Sequence, residues 1–315
     1  MSSFNGKLIS CMGEILIDMV QGSREKKIFE AHPGGAPANV AVGISRLGGR
    51  AAFMGKVGQD SFGDFLENTL NSDNVNTRGL KRGGKTGMAL VSLDEKGERS
   101  FEFYEELITY SELDVDTEVL DESSIFHLGS ISLIKKPESL ATLKCLKHAK
   151  ERGVLISYDP NLRLNLWNSA NSAREGIAVG LGYADVLKVS DEELEFLTGE
   201  KDCEAGVRKL LEMAPDLKLI AVTLGAAGSY CYYKGQGKTI PTIKVDVVDT
   251  TGAGDGFAAG LLFSLAKADG IEKMDWEQIE DAVKLANIVG SLTTTKKGAI
   301  TALPTMSDVE QYKIN

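Results

Sequence analysis

Short apolar runs alternate with longer amphipathic stretches along most of the chain. KLISCMGEILIDM, AAFMGKVG, SSIFHLGS, VLISYDPN, DVLKVS and LKLIAVTLG are rich in Ile, Val and Leu and end near Gly, Asp, Ser or Asn, as strands buried on both faces do. Between them, ANVAVGISRLG, SFGDFLENTLN, ESLATLKCLKHAKERG, DEELEFLTG, CEAGVRKLLEMA, GDGFAAGLLFSLAKA and EQIEDAVKLANIVGSL carry helical periodicity. This alternation predicts an α/β fold: a central, mostly parallel sheet with helices on both faces and ligands gathered beyond the C-terminal strand ends. The polar residues that close those strands, Asp159, Asn161, Ser190 and Thr223, are the first candidates for a site.

One stretch departs from the pattern. TGMALVSLDEKGERSFEFY, Thr86 to Tyr104, holds two strand-like runs around Asp94-Glu95-Lys96-Gly97, which is hairpin chemistry with no helix behind it. QGSREKKIFEAHPGG upstream reads as a further strand pair. Segments near 18–33 and 84–110 thus predict a small β lid on a single domain spanning 1–315, and no repeat, low-complexity tract or linker marks a second domain.

Composition narrows the function classes. With 315 residues, 43% of them hydrophobic, the chain can bury a sizeable core, and its net charge of -10 leaves no basic face for nucleic acid or an anionic membrane. Any phosphate must be held by local geometry. The first apolar stretch is interrupted by Glu14 and Asp18 and lacks a cleavage pattern, and no later one gives 18 uninterrupted apolar residues, so a soluble cytoplasmic protein is expected. Cys11, Cys145, Cys203 and Cys231 form no CxxC pair, and His32, His127 and His148 share no metal-like spacing; the cysteines read as reduced structural thiols.

Two glycine-rich motifs compete as phosphate sites. GLKRGGKT, Gly79 to Thr86, matches the P-loop pattern, but NSDNVNTR precedes it and strand-like MALVSL follows, where a P-loop needs a buried strand before it and a helix after it. Lys85 therefore reads as part of a connection into the lid. DTTGAGDGFAAG, Asp249 to Gly260, passes the same test: strand-like VDVV precedes it, Gly252 and Gly254 permit tight turns, and a helix rich in small residues follows. The first amides of that helix, at Gly252, Ala253 and Gly254, form an anion hole suited to a phosphoryl group in transfer. Asp255 beside them is either a cap worth about 1 kcal/mol or a general base worth roughly 3–5 kcal/mol of barrier. Upstream, HPGGAPANVAVGISRLG offers Gly34 and Gly35 for close backbone approach and the neutral amide of Asn39 for a polyhydroxy ligand, with Asp18 as an acceptor for sugar hydroxyls.

GGAPANVAVGISRLG and DTTGAGDGFAAGLL, in this order and separation, resemble the N- and C-terminal signatures of the PfkB (ribokinase-like) carbohydrate kinases, and the resemblance covers essentially the whole chain. GEILID, DPNLRLNLW and KVSDEELEFLTG are similar to the fructokinase branch in particular. The resemblance implies a three-layer ribokinase-like sandwich in which Asp255 is the catalytic base, Gly252, Ala253 and Gly254 are the anion hole, and Arg163 reaches the transferred phosphate. It puts Asp18, Gly34, Gly35 and Asn39 around the sugar with Phe103 of the lid above it. Asn161, Lys188, Thr223, Gly225, Gly228 and Asn287 line up with the nucleotide.

One motif departs from the family pattern. Where relatives often carry N-x-x-E, this chain has SDEE, placing Ser190 at the Asn position and keeping Glu193, which would act through water on Mg²⁺. Asp249, Thr251, Thr293, Lys296 and Gly298 match places where relatives bind a monovalent cation such as K⁺.

The expectation is an ATP-dependent, Mg²⁺-requiring kinase acting on a sugar primary hydroxyl, with fructose favoured. The alternatives are 2-keto-3-deoxygluconate, ribose or a nucleoside as acceptor, or a non-catalytic sugar or nucleotide sensor. Glu102, Glu105 and Glu106 of the lid argue weakly against an acidic sugar. Edge-to-edge pairing of lids predicts a homodimer.

Overall fold

The computed structural model describes residues 7–23, 28–93, 99–104 and 110–312. From the N-terminus run β1 (Leu8–Met12), β2 (Leu16–Ser23), β3 (Ile28–Gly34), α1 (Ala36–Arg46), β4 (Arg50–Val57), α2 (Ser61–Ser72), β5 (Leu80–Arg82), β6 (Met88–Leu93) and β7 (Arg99–Tyr104). The middle of the chain holds α3 (Thr117–Asp121), β8 (Ser123–Leu128), α4 (Glu138–Arg152), β9 (Leu155–Tyr158), α5 (Ala170–Leu181), β10 (Val186–Ser190), α6 (Asp191–Thr198) and α7 (Cys203–Met213). β11 (Leu219–Thr223), β12 (Ser229–Tyr233), β13 (Gln236–Ile240), α8 (Ala253–Leu265), α9 (Trp276–Thr293) and α10 (Met306–Glu310) complete it.

Nine strands form the central sheet in the order β13-β12-β11-β10-β9-β8-β1-β4-β5. Pairing is parallel from β11 to β5 and antiparallel only at the β11-β12-β13 edge. Successive residues of β1 enter opposite cores: Ile9 and Cys11 pack with α1, α2, α8 and α9, whereas Leu8 and Met12 pack with α3 to α7. The predicted layers are therefore present, and the polar strand ends Asp159, Ser190 and Thr223 lie at one edge of the sheet.

The sequence places two boundaries wrongly. KLISCMGEILIDM is two strands in two sheets, because Gly13, at φ 150, breaks the run and a Cβ there would crowd Pro37. Asp18 is thus in β2 of the lid and not at the end of the first central strand. VDVV forms no strand; it lies in an irregular stretch whose Val248 N–H donates to the Thr294 carbonyl at 2.8 Å. Helix α5 and the β12–β13 hairpin were not anticipated. ANSAREGIAVGL starts with a Ser169–Ser172 capping box in place of the Ser-x-x-Glu signal, and the hairpin follows a strand where the alternation predicts a helix.

The lid is a four-stranded sheet, β3-β2-β6-β7, with β2 antiparallel to β3, β6 antiparallel to β7, and β2 parallel to β6. The predicted turn Asp94-Glu95-Lys96-Gly97 and residues Glu105 and Glu106 lie outside the described residues. GLKRGGKT runs through the short strand β5 into β6, with no helix after it, and Lys85 is exposed. Its Thr86 is instead an anchor. Asp60, the N-cap of α2, accepts from Gly63 N at 2.9 Å, Thr86 N at 2.8 Å and Thr86 Oγ1 at 2.6 Å. These bonds tie the entry of the lid to the body. Asp60→Ala removes a cap and two further acceptors, so urea unfolding is expected to show a loss of about 2 kcal/mol, whereas Lys85→Ala stays within about 0.5 kcal/mol and keeps full activity.

Candidate active site

Helix α8 is apolar around its whole circumference because it is enclosed between α1, α9 and the sheet. Small residues set how closely it can approach. A Cβ on Gly43 of α1 would lie 2.6 Å from the Ala259 methyl, and one on Gly260 would lie 2.9 Å from the Ala286 backbone of α9. This close contact brings the first turn of α8 against the first turn of α1. There Asn39 Nδ2 donates to Asp255 Oδ2 at 2.7 Å across 216 residues of sequence.

Asp255 is buried, and burial pushes its carboxyl up to about 6; the Asn39 amide opposes the shift, as do the charges of Lys188 and Arg163. A carboxylate so placed is largely ionised at neutral pH and basic enough to take a proton. Gly252, the N-cap of α8, has φ 77, a conformation natural to glycine, and the Ala253 N–H turns back to the Thr250 carbonyl at 3.2 Å. The Ala253 amide is therefore engaged in the turn, leaving those of Gly254 and Asp255 as first-turn amides with no partner inside the helix.

Three cavities meet at this helix start. An inner one of about 80 Å³ is lined by Asp18, Gly35, Asn39, Arg163 and Asp255. A second, of about 380 Å³, is lined by Asn161, Arg163, Lys188, Gly252, Gly254 and Asp255. The third, about 550 Å³, has Thr223, Gly225, Gly228, Val245, Val247 and Asn287 on its walls and shares Gly254 with the second. Asp255 is common to the first and second, so an acceptor in the small cavity and an anion at the helix start would both meet it. A further cleft of about 450 Å³ lies at the opposite strand ends, where Lys7, Lys150 and Lys218 are each paired with an acid.

Two cations face the helix start. Lys188, on β10, is buried and pairs with Asp159 Oδ2 at 2.8 Å; burial alone would lower its pKa, but Asp159, Glu193 and Asp255 together raise it and hold the ammonium charged. A Cβ on Gly254 would come 2.9 Å from Lys188 Nζ, so the glycine is what admits the ammonium to the helix end. Asn161, at φ 46, turns the chain between Asp159 and Arg163 so that these residues reach the site from one short loop. Gly34 underlies Asp18, since a Cβ there would overlap the Asp18 carboxyl.

The family model of the pfkB family carbohydrate kinases matches residues 7–306. The chain belongs to that family. The pfkB-family kinase is 47% identical to probable fructokinase-6, chloroplastic, of Arabidopsis thaliana, covering 96% of this chain and 81% of that one. Its fold is similar to that of Xylella fastidiosa fructokinase with bound ATP (TM-score 0.90, 35% identity, covering 97% of this chain and 98% of that one). It is also similar to a double mutant of Vibrio cholerae O395 fructokinase in a fructose, ADP and potassium ion bound form (TM-score 0.88, 35% identity, 97% and 98% coverage).

Not every expected residue enters the three cavities of this kinase. Ser190 caps α6, its hydroxyl accepting from Glu193 N at 3.1 Å. Glu193 closes the capping box by accepting from Ser190 N through Oε2 at 2.8 Å, and braces the Asp159–Arg163 loop by accepting from Leu162 N through Oε1 at 2.6 Å. Neither lines any of the three cavities, and among the described residues no group of three His, Cys, Asp or Glu could hold a metal. Asn287 donates to the Ile240 carbonyl at 3.0 Å at the edge of the third cavity. Phe103 lies on β7 opposite Ala89, its side chain outside the described part of the structure.

The expected cation residues form a linked turn behind Gly252. Asp249 accepts from Thr251 N at 2.9 Å, Thr251 Oγ1 at 2.8 Å and Gly298 N at 2.9 Å, while Thr293 packs beneath and donates to the Val289 carbonyl. Lys296, two residues before Gly298, is exposed. The motifs did not single out Glu14, which lines the inner cavity, or assign a role to Asp159; the acid in GEILID and the one opening DPNLR were the available signals. Asn39→Ala leaves the buried Asp255 carboxylate without its donor, so Asp255 is expected to titrate clearly above about 6, measured as its carboxyl shift in a ¹³C NMR pH titration.

Proposed function

We propose that this chain is an ATP-dependent kinase that transfers the γ-phosphoryl group to the primary hydroxyl of D-fructose, giving fructose 6-phosphate. The observation that carries the proposal is the position of Asp255, shared by a cavity of about 80 Å³, sized for a few sugar atoms, and by the cation-lined cleft at the start of α8. Relatives named as fructokinases and a neighbour with fructose and ADP bound support fructose as the acceptor.

In this reading Asp18, Gly35 and Asn39 hold the sugar, with Gly34 leaving room for Asp18. The Asp255 carboxylate takes the hydroxyl proton as the sugar oxygen attacks phosphorus and the bond to the ADP oxygen breaks. The amides of Gly254 and Asp255, with Arg163 and Lys188, stabilise the negative charge on the transferring group. Thr223, Gly225, Gly228 and Asn287 border the nucleotide, with Val245 and Val247 offering apolar surface. When bound with ATP, Mg²⁺ would neutralise phosphate charge. The phosphates would hold the ion chiefly, and Glu193, whose two oxygens each accept one backbone hydrogen bond and keep a further lone pair, would act on it through water. The Asp249–Thr251–Gly298 turn is the proposed place of a monovalent ion, which would steady Gly252, and potassium in a neighbour supports that assignment.

We further propose a cytoplasmic homodimer. The cysteines Cys11, Cys145, Cys203 and Cys231 are free, which suits a reducing compartment, and no described helix is long and apolar enough to cross a membrane. The lid has two strand edges, β3 and β7, on which a second copy could pair. Light scattering is expected to give twice the chain mass, and a monomer at micromolar concentration would remove the dimer.

The kinase reading is tested by coupled ADP release over a panel of sugars. Fructose is expected to give the highest turnover, with Asp255→Asn reducing kcat at least about 100-fold. In the parent, kcat/KM for fructose should fall tenfold per pH unit below about 6, because only the deprotonated Asp255 accepts a proton, and should level off above about 7. A sugar-independent ADP signal, or an Asp255→Asn variant keeping a tenth of the activity, defeats the assignment.

A further inference from the structure

Glu14 sits in the connection between β1 and β2, and its carboxyl group lines the small inner cavity together with Asp18, Asn39, Arg163 and Asp255. One oxygen, Oε1, accepts from the N–H of Ala36, the first residue of α1, at 3.1 Å. The backbone is committed to the same place. Gly35, at φ 110, presses its Cα against the Glu14 carbonyl so closely that a Cβ would overlap it. Position 14 is therefore fixed against the glycine turn that borders the sugar.

Among the described residues, the charged groups that line the cavity are three acids, Glu14, Asp18 and Asp255, and one guanidinium, that of Arg163. Burial pushes Glu14 up to about 7, and the neighbouring Asp255 acts in the same direction, while Glu14's own amide, the Ala36 amide and Arg163 oppose it. Crowded acids suit a ligand that brings only hydroxyl donors, and they disfavour one that brings a negative charge into a poorly hydrated space.

We propose that Glu14 is a specificity-determining residue of the acceptor site: it receives a hydrogen bond from a hydroxyl of a neutral sugar and, with Asp18, excludes acceptors that carry a carboxylate or phosphate. The proposal rests on the sugar-kinase reading above and goes beyond it by naming the class of acceptor the site rejects. A purely structural role, bracing the start of α1, is met by the amides of Ala36 and of Glu14 itself and makes no demand on the acceptor's charge.

Glu14→Gln separates the two, because the amide oxygen can still accept from Ala36 while the charge is gone. Calorimetry on the full chain at pH 8, where Glu14 is mostly ionised, would measure binding of D-gluconate and D-sorbitol, which share a six-carbon open skeleton and differ at one end in carboxylate against hydroxyl. In the variant the gluconate-to-sorbitol ratio of Kd values is expected to fall at least fivefold, with the KM for fructose rising about tenfold and kcat changing less than threefold. A ratio within twofold of the parent's, or no detectable gluconate binding to the variant, overturns the proposal. Should Glu14→Gln fail to fold, Glu14→Ser removes the same charge and the same ratio decides. The ratio is a binding measurement, so a parent that binds sorbitol but does not phosphorylate fructose would count against the kinase reading and not against this one.

Discussion

The site depends on one contact: the first turns of α1 and α8 packed tightly enough for Asn39 to donate to Asp255. That contact is made possible by glycine and alanine at Gly43, Ala259 and Gly260, where larger side chains would hold the helices apart. It fixes the carboxylate at the end of a helix that favours negative charge, beside a cavity small enough to keep it poorly hydrated. The same short distance places a sugar-sized space and an anion-binding helix start on either side of one acid.

Around this contact, opposing demands are met by neighbouring groups. Burial makes Asp255 a stronger base, and Asn39, Lys188 and Arg163 keep it ionised near neutrality. Lys188 is in turn held charged, against its burial, by Asp159, Glu193 and Asp255 together. Glu193, which the motif suggested as a metal residue, holds the loop that carries Asn161 and Arg163 and so helps to set where the guanidinium lies. An acid at a helix start can cap the helix and brace a neighbouring loop at once, and the hydrogen bonds of Glu193 account for both of its oxygens.

The P-loop-like GLKRGGKT shows why a pattern needs its context. Its glycines serve a connection between two strands, and its threonine hydrogen-bonds to Asp60 where a P-loop threonine would face a metal. The lysine has no helix behind it to supply the other half of a phosphate site.

The order of strands and helices, the layered sheet, the lid and the pairing of GGAPANVAVG with DTTGAGDG were legible in the sequence, because burial imposes periods of 2 and 3.6 and because glycine turns announce close backbone approach. The sequence also marked Asp255 while leaving its role divided between cap and base. Tertiary structure decided what local pattern cannot encode: that Glu193 reaches Leu162 of a neighbouring loop and that Glu14 joins the acceptor cavity. A residue's chemistry depends on which distant groups share its water-poor space, and Asn39 and Asp255, 216 positions apart in the sequence, meet only once the chain between them has folded.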